Sequence, residues 1–166
     1  MTIHLKPITA AAIPAALEKA ERYRLLNDAA AAESICLDVL EIDPTNQDAL
    51  VSLLLSITDQ FPDELTDSVR RARDVVPRLT DEYKRAYYTG IIHERRAKAI
   101  LHRGALGAAD VAAGVFREAM SWYERAEAIR SAGDDESILR WNTCARLIGR
   151  HRGTAPPVHF EPVLGE

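Results

Sequence analysis

Few residues in this chain have types and spacings that could do chemistry. His93 and Glu94 are adjacent. A second histidine four residues after the first would place two zinc ligands and a base on one helical face. Position 97 is alanine, so that arrangement is absent. Asp134, Asp135 and Glu136 form an acidic cluster, but acids directly after Gly133 and ahead of a helical stretch are what a helix N-terminus favours electrostatically. Gly104 and Gly107 lack the Lys-Ser/Thr pair that a phosphate loop needs. Cys36 and Cys144 each lie within an apolar helical pattern and read as buried thiols. No catalytic residue, metal or cofactor is expected. The enzymatic alternative is a helical enzyme or metal protein with a non-local site assembled from His93, Glu94, His102 and Asp134.

The charges are unevenly spread. Between Arg24 and Arg70 there is no lysine or arginine, while ten acidic residues fall there, from Asp28 to Asp67. From Arg70 to Arg152 the basic residues outnumber the acidic ones by 17 to 11. Three basic clusters stand out: Arg70-Arg71-Arg73, Arg95-Arg96-Lys98, and Arg140 with Arg146, Arg150 and Arg152. An RNA-binding role for this arginine-rich second half is a further alternative. The acidic first half argues against it and makes duplex DNA a poor partner, so nucleic acid is not expected.

These side chains must be carried by helices, because apolar residues recur at three- and four-residue spacing almost throughout. Seven helices are expected. The first follows Pro14 through Leu17, Ala20 and Tyr23 to the break at Asn27-Asp28, and the second carries Ala32, Cys36 and Val39 up to Asp43-Pro44. Thr45 with Asp48 has capping-box spacing and opens the third, which ends near Phe61-Pro62. Asp63 is the expected cap of the fourth, which runs to Pro77. Thr80-Asp81-Glu82 opens a long fifth helix ending at Gly104, Asp110 to Ile129 forms a long sixth, and Glu136 to Ile148 a seventh. The longest apolar run, around Leu53-Leu54-Leu55, is far too short to span a membrane, and the first residues lack a secretory pattern. A cytoplasmic protein is expected.

Counting thirty-one residues back from Pro44 places Ala20, Tyr23, Ala32, Val39 and Pro44 at the small, aromatic, small, apolar and proline positions of a helical-hairpin repeat. Val69, Ala72 and Pro77 mark a degenerate second unit, and Gly90 with Ala119, Tyr123 and Ala126 a third. In this respect the chain resembles the tetratricopeptide repeat family over roughly residues 13–148. The resemblance implies an all-α fold in which antiparallel helix hairpins stack as a short superhelix. The third hairpin departs from the pattern by about seventeen extra residues, enough to lengthen both of its helices by about two turns. Residues 1–12 form a lead-in, 13–149 the repeat domain and 150–166 an irregular tail.

The resemblance further implies a non-enzymatic module that holds a peptide or protein segment on a concave face. Lys84, Tyr87, Ile91 and Arg95 form one stripe of the fifth helix on that face and are the expected partner-binding residues. A family subset grips a C-terminal peptide with lysine and asparagine at positions that here hold Leu17 and Glu21, which disfavours that ligand. The lengthened hairpin carries Ile100, Leu101, Leu106, Val111, Val115 and Phe116, more apolar surface than a protruding hairpin covers alone. A homodimer contact is the expected shield, with the segment Val158 to Leu164 as its rival.

Overall fold

The computed structural model describes residues 3–152, and over these it is all-α, with seven helices and two short 3-10 turns. The helices are α1 (Ile13–Leu25), α2 (Ala29–Ile42), α3 (Gln47–Asp59), α4 (Leu65–Val75), α5 (Glu82–Arg103), α6 (Ala108–Ile129) and α7 (Glu136–Arg152). No helix among the described residues is long and apolar enough to cross a membrane.

Local chemistry sets the boundaries. Pro14 stands in the first turn of α1, where its missing N–H costs nothing. Asn27 follows that helix at φ 60°, a left-handed conformation that asparagine tolerates better than most side chains. Asp28 then caps α2 by accepting from the Ala31 N–H at 3.1 Å. The cap of α3 lies one residue past the expected one. Asn46, not Thr45, accepts from the Ala49 N–H at 2.9 Å, while Asp43 takes both the backbone N–H and the hydroxyl of Thr45. Asp63 does not cap α4 either; Glu64 occupies that position and makes no side-chain cap bond. Pro77 falls in the 3-10 turn Val76–Arg78 that follows.

Asp81 caps α5 by accepting from the Lys84 N–H at 3.0 Å. At the far end Gly104 and Gly107 take φ of 65° and 77°, closing the turn into α6 with backbone that only glycine adopts freely. α6 starts at Ala108, two residues before Asp110, and α7 continues to Arg152, beyond Ile148. The segment Val158 to Leu164 lies outside the described residues.

The lengthened third hairpin is present: α5 and α6 have 22 residues each, against 11 to 14 in α1 to α4. Successive helices pack on one another, and α3 also touches α1 and α5. Two apolar cores result. The first holds Ala20, Ala32, Leu50, Leu54 and Phe61 with Ile92 and Ala99 from α5. The second holds Ile91 and Ala97 from α5 with Phe116, Ala119, Tyr123 and Cys144. Ala20 and Ala32 have no exposed surface, as expected of small residues that let α1 and α2 approach closely.

Gly90 has the clearest steric role. A methyl group there would lie 2.5 Å from Cε1 of Tyr123, so the ring occupies the space that the missing side chain leaves. The expected intermolecular shield for the third hairpin is only partly required. Val115 and Phe116 are buried within the chain, and Leu147 and Ile148 of α7 pack on the same core as the partly covered Ile100 and Leu101. Leu106 and Val111 remain exposed.

Candidate binding groove

Two neighbouring openings are lined chiefly by the odd-numbered helices. Between α1, α3 and α5 lies an open groove of about 510 Å³. Leu17, Val51, Leu55 and Tyr88 supply apolar wall, and Glu18, Glu21, Asp48 and Lys84 supply charge. Arg24 also lines it, but its Nε donates to Asp59 at 2.8 Å. The groove thus keeps three acids against one uncommitted cation, in line with the acidic first half of the sequence.

Asp59 closes the C-terminal end of α3 and is shared: one oxygen accepts from Arg24 and the other from Arg95 of α5. Arg95 also donates to the Thr58 hydroxyl at 2.6 Å and to the Leu55 carbonyl at 3.1 Å. Burial lowers its pKa from the ordinary arginine value and the Asp59 charge opposes that shift. Beyond this ion chain is a second opening of about 450 Å³, between the C-terminal ends of α3 and α5 and the N-terminal part of α7. Lys98, His102 and Arg140 line it together with Arg95.

Beneath that cleft lies Glu94, which has no exposed surface. Its carboxylate accepts from the Tyr123 hydroxyl at 2.7 Å, from Arg140 at 3.4 Å and from Lys98 one helical turn on. Burial first, then the Glu94 charge, pushes the Tyr123 phenol far above its ordinary value, which keeps it a neutral donor. Burial followed by the same charge raises the Cys144 thiol to about 12, so this cysteine is no nucleophile at neutral pH. Burial works against the charge of Arg140, but its bond to Tyr87 and the Glu94 charge outweigh that and raise its pKa.

The expected partner stripe on α5 therefore divides. Lys84 lines the groove, and Arg95 lines the cleft. Tyr87 ties α5 to α7, donating to Glu136 at 3.3 Å and stacking on Tyr83 with ring centroids 5.8 Å apart. Ile91 is a correction: it is buried in the second core and cannot touch a partner while the chain is folded. The residue spacing put it on the same face as Tyr87, but α6 and α7 cover that part of the helix.

The residues considered for a non-local metal or catalytic site are not brought together. His93 Nδ1 lies 2.9 Å from Glu118, out of line for a hydrogen bond. Glu94 is engaged with Tyr123 and the two cations, and Asp134 accepts from Tyr83 and from the Glu136 backbone. Among the described residues no group of three or more histidines, cysteines or acids is placed to hold a metal ion. Sequence reasoning missed Glu94 and Arg140 as the centre of the polar network. The available signal was an acid on the otherwise small and apolar stripe Gly90, Ala97, Leu101. Comparison of the chain with protein-family models, curated proteins and solved structures gave no match.

Proposed function

We propose that this chain is a tetratricopeptide-like binding module, a non-enzymatic scaffold that holds a segment of another protein. The observation that carries this reading is the groove between α1, α3 and α5, where an apolar wall is bordered by charged side chains over about 510 Å³. Side-by-side odd-numbered helices are the arrangement expected of the concave face of such a repeat stack. The best fit is an extended segment with apolar residues spaced to meet Leu17, Val51 and Tyr88 and basic residues to meet Glu18, Glu21 and Asp48.

The test is affinity capture from native cell extract with the full chain as bait, identification by mass spectrometry, and titration of the recovered partner against variants. Val51→Arg places a long cation in the groove and should abolish binding. Leu37→Arg, at a half-exposed position of α2 outside the groove lining, should leave it unchanged. Equal affinity of both variants for the partner would remove the groove from the interaction.

A further inference from the structure

We infer that the cationic cleft at the ends of α3 and α5 is a binding site for a phosphoryl group. Thr58, Asp59, Arg95, Lys98, His102 and Arg140 all line the cleft. Asp59 is the one carboxylate among its lining residues, and it is divided between Arg95 and Arg24. Glu94 is likewise divided between Lys98 and Arg140. Each carboxylate thus serves two cations, leaving four cations on two acids, with Glu136 facing Arg140 only across the Tyr87 hydroxyl.

Such an excess is unfavourable in partly buried surroundings unless a counter-charge enters. A phosphomonoester carries about −1.5 to −2 at neutral pH and three acceptor oxygens, and it matches both the charge and the donors. The donors are held in position: Glu94 and Tyr87 fix Arg140, and Glu94 fixes Lys98. Lys98 and Arg140 keep 42% and 36% of their side-chain surface exposed, so they can still reach a ligand. A cleft of about 450 Å³ takes a phosphoryl group and its immediate substituent, not a duplex. The extra length of α5 creates the site, since Lys98 and His102 stand on its last turns.

Inorganic phosphate titrated into the isotope-labelled full chain at low ionic strength should give saturable NMR shifts at Lys98, His102 and Arg140. Lys98→Gln should weaken binding about ten-fold, the loss of one charge-assisted contact. Lys84→Gln, which removes a cation from the groove instead, should leave phosphate binding at the cleft unchanged. His102→Gln, at an exposed position, gives a second reading if Lys98→Gln fails to fold by circular dichroism. A phosphoserine peptide that binds more tightly than free phosphate assigns the site to a modified protein segment, and equal binding assigns it to a free phosphate or small ester. Saturation of the same residues by acetate with equal affinity, no saturation by phosphate, or an equal loss in Lys84→Gln would each overturn the inference. Because Val51→Arg leaves the cleft intact, phosphate binding by that variant separates this site from the proposed groove.

Discussion

Around Phe61 the helices meet through apolar side chains with ion pairs set beside them, whereas around Tyr123 they meet over a fully buried carboxylate. In the first core the buried hydroxyls return to their own backbone, Thr58 also accepting from Arg95, and the paired acids Glu33 and Asp59 each keep some exposed surface. Ser56 and Thr58 donate to the carbonyls of Ser52 and Leu55 at 2.8 and 2.9 Å, and Glu33 pairs with Gln60 and Arg71 at the margin. In the second core Glu94 collects one donor from each of α5, α6 and α7. Apolar burial is roughly proportional to area and indifferent to direction. A buried carboxylate is neither, because displacing α7 by one residue takes Arg140 away from it and leaves charge unpaired. The first core is held mainly by contact area, with the partly exposed Asp59 pairing α1 and α5 beside it; the second has its helix register fixed by one group at its centre.

The largest test of this contrast is Phe61→Ala. With no exposed surface at that ring, the loss should be about 3–5 kcal/mol, measured by chemical denaturation, and should be the same at low and high salt. A strong salt dependence would remove the distinction between the two cores. Glu94→Gln should cost less, about 1.5–3 kcal/mol, because the amide can still accept from Tyr123 while Lys98 and Arg140 regain water. Its signature is elsewhere: salt should stabilise the variant relative to the native chain, since the cations are left to repel each other. A neutral result at all salt concentrations would mean that the network orients nothing.

The smallest effect is a pH slope from His93. Burial, partly opposed by Glu118, lowers its pKa, so on acidification the unfolded chain takes up this proton first. Between the ordinary histidine value and the lowered one the unfolded state binds more protons, so stability falls as pH falls, and the full loss is reached below the folded value. His93→Gln should flatten the change in denaturation midpoint between about pH 7 and about pH 5. An unchanged slope would place the acid sensitivity at another group.

How much of this was legible in the sequence follows from the range of each interaction. Helix existence depends on residues three and four apart, and all seven helices were visible in that spacing. The burial of Ala20 and Ala32 was legible because small residues at that spacing ahead of Pro44 fit the contact of a helix hairpin. The caps were less so, since Thr45 and Asn46 compete for the same role and the choice rests on a backbone angle that neither side chain dictates alone. Ile91 reads as a surface residue in the sequence because a stripe on one helix says nothing of which neighbours cover it. Glu94 and Arg140 are 46 residues apart, and no local pattern joins them. The groove and the cleft depend on three helices each, so their residues could be suspected singly but not assembled.

One feature of α5 reaches further than the contacts it makes. Ile92 and Ala99 face the first core while Ile91 and Ala97 face the second, so a single helix is the wall between them. Each core therefore counts as its own some apolar surface that is buried only while this helix is in place. Losing one core uncovers the face of α5 that it shares with the other, so partial unfolding costs more than the contacts of one core alone. Opening of either half should therefore weaken the other, and a cut between the two cores should lower the stability of both.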